Sequence, residues 1–297
     1  MANYPFDVSW QRQIVSHGGN IFFVSSGLGN NANPGDTPAA PVATLAYALT
    51  LCTASRGDVV YLLPGHAETL TAGVTLSTAG VAVKGLGVGN NRPAFTGSGA
   101  INMFTLSAAN CSLDNVRLVG ATASVLAHLV VAAADLDITN CVFVQPATPT
   151  ESVWLNAGAN RFYFDRCRWI GTADGPDSAF FFNTGSGSIT EWGVTNCRFN
   201  YLPNGLDNAV FLATVDACPG GIIQNCHAIG LDATCLFVDF NSSVSLAEGQ
   251  IVECTAQARA AATVANLYDL GGYGMVRFAI NDGPQRGALL HPATSST

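Results

Sequence analysis

One strand-like motif recurs six times between residues 112 and 259. The six copies align without gaps on one central position, which is occupied by Val116, Cys141, Cys167, Cys197, Cys226 and Cys254. Successive centres are 25 to 30 residues apart, and apolar residues alternate before each centre, as they do in a β-strand. A repeat of this length, with turn residues and no helical pattern between its copies, predicts a solenoid in which each coil stacks on the one before.

Stacking explains why one residue type recurs at one position. Equivalent side chains of successive coils lie about 4.8 Å apart, so a small apolar side chain repeated there forms a column. We therefore predict a core ladder of the six central residues, with the cysteines reduced. The residue before the centre is asparagine in four copies, at Asn115, Asn140, Asn196 and Asn225. Asparagine tolerates the left-handed backbone region, and its amide can bond to the next coil.

The cysteines have two alternative interpretations, a metal site and disulfide bonds. Structural zinc sites use close pairs such as C-x2-C, whereas the closest pair in this chain is Cys218 and Cys226. The number of cysteines, nine, is odd, and no export signal is apparent, which argues against a disulfide framework. We expect neither a metal nor a cofactor.

The region before the six copies contains two further strand-like segments and a helical pattern. Residues 59–65 and 81–89 extend the repeat, the second with Leu86 in register with Val116. Residues 43–54 place four apolar side chains on one helical face, namely Leu45, Ala48, Leu49 and Cys52. Because an open end of a solenoid invites aggregation, we predict that this short helix covers the N-terminal end of the core.

The charge of the chain excludes two classes of partner. Only 11% of the 297 residues are charged, and the formal net charge is −8. Nucleic acids and anionic membranes bind proteins through clustered Lys and Arg, and no basic run occurs here. The longest apolar stretch, residues 123–136, is too short to span a bilayer. We expect no nucleic-acid partner and no membrane partner.

The order of features in residues 21–70 is also distinctive. A strand, a Gly/Asn/Asp loop, a helix, Gly57-Asp58 and a strand ending in Pro64-Gly65 follow one another, and the Asn-Cys centres continue to about residue 255. In these features the chain resembles parallel β-helix proteins of the pectin-lyase-like superfamily. The resemblance implies an all-β fold, a right-handed single-stranded parallel β-helix solenoid with a short N-terminal capping helix. We divide the chain into a docking arm (1–20), a strand and capping helix (21–58), β-helix coils (59–255) and a C-terminal cap or association segment (256–297).

The catalytic motifs of enzymes in this superfamily are incomplete in this chain. Polygalacturonase-like hydrolases use Asn-Thr-Asp, whereas Asn183-Thr184 is followed by Gly185. Pectate-lyase-like enzymes need clustered acids for Ca2+ and a basic residue that removes a proton. Acidic and basic residues occur close together in one segment, which contains Asp165, Asp174 and Asp177 beside Arg161, Arg166 and Arg168. Residues 174–177 have the composition of a solvated turn, and we expect a protein that is not an enzyme.

The resemblance also covers structural proteins of bacteriophages, because one fold serves several functions. We predict a capsid decoration (cement) protein or head-appendage protein of a bacteriophage virion. It would be made in the host cytoplasm, form a homotrimer and bind the major capsid protein or another virion protein. The side chains of the docking arm predicted to contact the capsid are Tyr4, Phe6, Trp10 and Ile14.

The alternative function is a tail-spike-like host receptor that binds or degrades surface glycan. Its candidate residues are an aromatic platform and a carboxylate pair, Trp169, Asp174 and Asp177. Other aromatic residues also recur at coil spacing, namely Trp154, Trp192 and Phe180 to Phe182. We expect them, together with Trp169, to form a lateral face covered by loops, and a sugar-binding or subunit-contacting stripe is the alternative.

Overall fold

A computed structural model of the protein describes most of the chain between residues 18 and 279. The described residues are 18–120, 125–145, 151–171, 178–183, 189–201, 209–215, 218–231, 235–240, 249–258, 268–269 and 277–279. Three parallel sheets contain all the named strands of this part of the chain.

Sheet 1 has ten strands and begins nearest the N-terminus. In order across the sheet they are β1 (Ile21–Val24), β2 (Val59–Leu62), β5 (Ala82–Gly85), β8 (Ser112–Asp114), β11 (Leu136–Thr139), β14 (Phe162–Asp165), β17 (Gly193–Thr195), β20 (Ile222–Gln224), β23 (Gln250–Val252) and β26 (Arg277–Ala279).

Sheets 2 and 3 have eight strands each. Sheet 2 consists of β3 (Ala67–Leu70), β6 (Ala94–Gly97), β9 (Arg117–Gly120), β12 (Val142–Gln145), β15 (Arg168–Gly171), β18 (Arg198–Asn200), β21 (His227–Leu231) and β24 (Thr255–Ala258). Sheet 3 consists of β4 (Val74–Leu76), β7 (Asn102–Leu106), β10 (Ala127–Val131), β13 (Val153–Asn156), β16 (Ser178–Asn183), β19 (Ala209–Val215), β22 (Leu236–Phe240) and β25 (Tyr268–Asp269).

The chain visits the three sheets in a fixed order. Each coil contributes one strand to sheet 1, then one to sheet 2 and one to sheet 3, before the chain returns to sheet 1. From β2 to β23, each strand therefore pairs in parallel with the strand three places later in the chain. This is a parallel β-helix, and it confirms the all-β solenoid predicted from the repeat.

The corner between sheets 1 and 2 explains the repeated Asn-Cys pair. Two residues connect the strands: the first has a left-handed backbone, with φ of 55° at both Asn140 and Asn196, and the second is a central residue of the repeat. Arg166 and Glu253 take the same conformation where asparagine is absent. All six central residues are fully buried and stand in register, as predicted: Val116, Cys141, Cys167, Cys197, Cys226 and Cys254.

Each thiol of the ladder also satisfies main-chain carbonyls at this corner. The Cys226 Sγ donates to the oxygen of Gln224, two residues earlier, and to that of Val194 in the preceding coil, both at 3.4 Å. Within the described part of the chain, the five ladder cysteines form no disulfide bond. The column thus combines small apolar volume with a weak donor where sharp turns leave carbonyl groups inside the protein.

The asparagine amides bond between coils, but to the preceding coil and not to the next one as predicted. The Nδ2 of Asn140 donates to Asp114 Oδ1 at 2.8 Å, and the Nδ2 of Asn196 donates to Asp165 Oδ1 at 2.7 Å. Asn225 continues the series by donating to Asn196 Oδ1 at 2.8 Å. These bonds connect successive turns along the outside of the corner.

One coil departs from the predicted repeat between β5 and β6. Lys84 pairs with Asp114 in register, but the chain then makes an excursion over residues 86–93, including a 3-10 helix at Gly89–Asn91. Leu86 is 36% exposed, and Pro93 precedes β6 as Val116 precedes β9. The prediction that Leu86 occupies a central position is therefore wrong, because the longer connection carries it outside the core.

The predicted helix is present at the N-terminal end of the solenoid. Helix α1 (Leu45–Leu51) begins after Thr44, whose hydroxyl accepts from the Tyr47 N–H at 3.3 Å. Its apolar face is buried against β1, β2 and β4 and consists of Leu45, Ala48 and Leu49. The Glu68 carboxylate accepts from the Leu45 N–H at 3.1 Å, which favours this end of the helix dipole.

The carboxylate of Asp58 fixes the connection between the helix and the first coil. This fully buried group accepts from the N–H groups of Asn20 and Thr53, both at 2.7 Å, and from the Arg56 guanidinium at 2.7 and 2.8 Å. Burial would raise the pKa of Asp58, but the hydrogen bonds outweigh it and lower the pKa. The Arg-Gly-Asp sequence is a structural turn with no accessible aspartate.

Candidate functional site

The aromatic residues expected on a lateral face lie mainly inside the solenoid. Trp169 and Trp192 are fully buried, as are Phe180 and Phe182. The Trp169 ring is stacked between Phe143 and Phe199, with both ring centroids 4.7 Å away. The interpretation of these four residues as an outer face is wrong, and so is the assignment of Trp169 as a platform for sugar. Trp154 and Phe181 are half-buried and stand in register on the outer side of sheet 3. The alternation of strand residues divides them into two sets that face opposite sides of the sheet, but it does not say which set faces the core.

Several other predicted site residues fall outside the described part of the chain. They are Tyr4, Phe6, Trp10 and Ile14 of the docking arm, and Asp174 and Asp177 of the proposed glycan site. Their roles stay predictions. Residues 256–297 are described only at 256–258, 268–269 and 277–279, so the C-terminal association segment also stays a prediction.

The arginines near Asp165 do not form one acid and base centre. Arg161 pairs with Asp135, whereas Arg166 pairs with Asp165, with Nη1 and Oδ2 2.7 Å apart. Arg168 lies on the exposed face of sheet 2. Three arginines that are close in sequence therefore belong to three different surroundings.

Trp169 belongs to a polar cluster inside the corner between sheets 2 and 3. Its Nε1 donates to Ser152 Oγ at 3.1 Å, and Ser152 Oγ lies 3.2 Å from His128 Nδ1. The other ring nitrogen of His128, Nε2, lies 2.8 Å from the carbonyl oxygen of Val144. The Gly120 N–H points to the same nitrogen at 3.2 Å, so the tautomer sets the roles: with the proton on Nε2, the ring donates to the Val144 oxygen and the hydroxyl of Ser152 donates to Nδ1.

A serine within hydrogen-bond distance of a histidine is also the arrangement of a nucleophile and its general base. Here both side chains are buried, and the imidazole is enclosed completely. Burial lowers the pKa of His128 to about 4, although the bond to Val144 opposes the shift. The pair is inaccessible to a substrate and stabilises the corner.

Two further residues complete this corner cluster, which we define as His128, Gln145, Ser152, Trp169 and Tyr201. The Tyr201 hydroxyl donates to Gln145 Oε1 at 2.9 Å, and burial raises the pKa of Tyr201. Gly171 lies beside the Tyr201 ring, where a Cβ would be 2.8 Å from the ring. A glycine in one coil thus makes room for a large side chain of the next.

The candidate binding site is a depression of about 430 Å³ on the outer face of sheet 1. Three coils supply its lining, which consists of Asn110, Cys111, Ser112, Asp135, Asp137, Arg161 and Tyr163. The Tyr163 side chain is 46% exposed, and its ring lies over Gly193, where a Cβ would be 2.8 Å from Cδ1. Because Gly193 has no side chain, one face of the Tyr163 ring lies against the sheet.

The polar side of the depression is an ion pair between two turns. Arg161 Nε and Nη2 donate to the two carboxylate oxygens of Asp135 at 2.6 and 2.9 Å. This hydrogen bonding lowers the pKa of Asp135 and raises the pKa of Arg161. A carboxylate held ionised in this way is unsuited to donate a proton.

Sequence reasoning missed this site, although a signal existed. Asp135 and Arg161 both precede a sheet 1 strand and both have positive φ, 59° and 51°. Their 26-residue separation equals one coil, so the repeat places them side by side. Tyr163 is the exposed residue of the same strand, two positions after Arg161.

Two structural properties bear on other classes of function. Among the described residues, no group of three or more His, Cys, Asp or Glu side chains is arranged to hold a metal ion. The helix that the structure describes is far shorter than one that crosses a membrane.

Comparison with solved structures finds the same fold in proteins of different kinds. Pectate lyase Pel9A is 13% identical, with a TM-score of 0.53, over 89% of this chain and 76% of that one. A rhamnogalacturonan lyase is 17% identical, with a TM-score of 0.45, over 89% of this chain and 62% of that one. ORF18 of Geobacillus virus E2 is 12% identical, with a TM-score of 0.41, over 95% of this chain and 64% of that one.

The three sheets make this a parallel β-helix protein, and of these similarities the one to pectate lyase Pel9A agrees with that fold. At such identities they concern the fold alone. The chain spans about three fifths of the length of the rhamnogalacturonan lyase. No protein-family model and no curated protein sequence matches the chain.

Proposed function

We propose that the protein is a non-enzymatic structural component of a bacteriophage virion that decorates the capsid or forms a head appendage. The observation that supports the proposal best is the pair of regular outer faces. With about 4.8 Å between strands, the ten strands of sheet 1 and the eight of sheet 2 form faces about 43 and 34 Å long. Faces of this extent suit a protein–protein interface of standard size.

The distribution of reactive groups supports the same proposal. The five ladder thiols, the imidazole of His128 and the hydroxyl of Tyr201 are all buried. Burial raises the pKa of Cys141 and Cys167 well above the usual range of a thiol, which makes them poor nucleophiles. The chemistry inside the solenoid therefore stabilises the fold, and association is left to its surface.

Capsid binding tests the proposal directly. We expect the full chain to co-sediment with purified capsids of its phage, and a variant lacking residues 1–20 to lose this binding. Tyr163→Ala is the matched control, because it alters the lateral depression and leaves the docking arm intact. Equal binding of the shortened and full chains would contradict the docking role of the arm, and failure of the full chain to bind would contradict the proposed function.

Sedimentation equilibrium of the free protein tests the proposed homotrimer.

The depression on sheet 1 favours one second candidate, a receptor that binds host surface glycan. An exposed aromatic ring beside charged hydrogen-bonding groups suits a sugar, whose apolar face stacks while its hydroxyl groups form hydrogen bonds. Tyr163 and the Arg161–Asp135 pair offer this combination.

Glycan binding has its own test. We expect Tyr163→Ala to abolish binding to purified envelope polysaccharide, whereas Tyr163→Phe keeps the ring and retains most of the affinity. Absence of binding by the parent protein would contradict this candidate. Release of sugar fragments by the parent protein would contradict the non-enzymatic proposal.

A further inference from the structure

The outer face of sheet 2 carries a column of basic side chains. The first residues of five successive strands, β9, β12, β15, β18 and β21, are in register: Arg117, Val142, Arg168, Arg198 and His227. The whole chain contains only 12 Lys and Arg residues. Three of them therefore stand in one column on one face of an acidic protein.

This arrangement is unfavourable for the isolated protein. Arg168 and Arg198 are direct neighbours on adjacent strands, and like charges in that position repel. Both side chains are exposed, as is that of Arg117. The repulsion weakens the fold, so it calls for an explanation outside the isolated chain.

The arginines of the column also lack the partners that other arginines of the chain have. Arg56, Arg161 and Arg166 each pair with a carboxylate. Within the described residues, the guanidinium groups of Arg117, Arg168 and Arg198 have no ion pair and no hydrogen bond, and only His227 is bonded, to Thr255 and Asn225. Three guanidinium groups thus remain available to an incoming anion.

A mainly apolar column runs beside the basic one. Two residues further along the same strands, the column consists of Val119, Val144, Ile170, Asn200 and Ile229. Val144 is buried, and the other four residues are half-buried. We call the two columns together the arginine face. From β9 to β21 it extends over four strand spacings, about 19 Å. A ligand that covers it must satisfy positive charge along one line and bury apolar side chains along the next.

We propose that the arginine face binds a protein partner through acidic side chains flanked by apolar ones. Acidic polysaccharides and nucleic acids offer charge but no apolar side chains to cover the second column. The net charge of −8 repels anions at a distance, and salt screens charges beyond about 8 Å, so recognition depends on close contact. This proposal deepens the proposed function, because it names the chemistry of the partner that the protein would bind in the assembly.

Peptide binding tests the arginine face without a capsid. The probe is an end-blocked, fluorescently labelled octapeptide in which glutamate and valine alternate, and the assay is fluorescence anisotropy with the full chain. We expect the R168Q/R198Q variant to bind about tenfold more weakly, in line with two lost ion pairs. Arg198→Gln alone should lose about threefold, whereas Lys84→Gln, which removes one charge from sheet 1, should bind like the parent.

Each alternative outcome overturns the proposal in a specific way. Equal binding by the arginine variants and Lys84→Gln would show that the face is not used. Binding of octaglutamate or polygalacturonate as tight as that of the alternating peptide would make it a general anion site and overturn the protein partner. A fall in the unfolding temperature of Arg198→Gln would mean that the arginine serves the fold, whereas relief of repulsion predicts an equal or higher temperature. Failure of capsid binding would contradict only the proposed function.

Discussion

The two corners that bound sheet 2 solve the same turning problem in different ways. Between sheets 1 and 2, two residues suffice, and the same left-handed residue and buried centre recur from coil to coil. Between sheets 2 and 3, the equivalent position is glycine in three coils, at Gly97, Gly120 and Gly171, and a large polar residue in two others, Gln145 and Tyr201. The first corner repeats one backbone conformation, whereas the second combines glycine in some coils with a large buried side chain in others.

The difference shows how volume is conserved in a stacked core. Gly171 adjoins the Tyr201 ring, and a Cβ at Gly97 would lie 2.9 Å from Met103 Cγ. A small residue in one coil is thus offset by a large one elsewhere, so packing density is kept while the sequence at the position varies. Substitutions should therefore cost most where a large buried side chain packs on both neighbouring coils, as Trp169 does between Phe143 and Phe199.

The largest expected effect is that of Trp169→Ala. The change removes a fully buried ring stacked between Phe143 and Phe199 and leaves Ser152 without its donor. We expect the free energy of unfolding in urea to fall by about 3–5 kcal/mol. Trp154→Ala is the matched control, because Trp154 is only half-buried, and it should lose less than half as much. Similar losses for the two variants would contradict the special role of the corner cluster.

The second effect is a dependence of stability on pH that originates at His128. Its pKa is about 4 in the folded protein and about 6.5 when unfolded, so the unfolded chain takes up a proton first as the pH falls. The stability present at pH 7 is therefore lost between about pH 6.5 and 4, and about 2–3 kcal/mol should be gone at pH 4.5.

A variant without the imidazole isolates this contribution from that of the carboxylates. The difference in unfolding free energy between pH 7 and 4.5 should be smaller by about 2–3 kcal/mol in His128→Gln than in the parent. The same pH dependence in both proteins would show that His128 does not titrate as its burial requires.

The smallest effect is expected at the periodic corner, where Asn196 is the test. Alanine is disfavoured at a φ of 55°, and it also loses the bond to Asp165, so Asn196→Ala should cost about 1–2 kcal/mol. Asn196→Gly loses the same bond but accepts the conformation, and it should cost less. Equal losses in thermal unfolding would mean that the hydrogen bond, and not the backbone, selects asparagine.

The contrast between the corners also explains what the sequence could predict. The Asn-Cys pairs repeat with the coil, so the sheet 1 to sheet 2 corner, the register and the buried ladder follow from spacing alone. The position of Leu86 was mispredicted because a uniform period cannot reveal an inserted excursion. Trp169 was misassigned because the alternation of strand residues has two phases, and only the three-dimensional corner decides which phase faces the core.

The candidate site was less predictable than the fold. Asp135, Arg161 and Tyr163 come from neighbouring coils, and only exact knowledge of the register brings them together. The unpaired state of Arg168 and Arg198 is likewise invisible in the sequence, where both look like ordinary surface residues. Such sites depend on which side chains lack a partner, and this is known only from the contacts in the three-dimensional structure.

The excursion at residues 86–93 shows how much freedom one turn of this protein has. Where the next coil uses two residues, this one uses eight, yet the pairs Lys84 with Asp114 and Ala94 with Arg117 keep their register on both sides. Val88 within it is 80% exposed. A foreign peptide inserted after Val88 would be displayed outward, between the two bonds that hold the loop to the stack, from Asn115 Nδ2 to the Gly87 oxygen and from the Gly65 N–H to the Asn91 oxygen. This loop is therefore a point for presenting an epitope or an affinity tag.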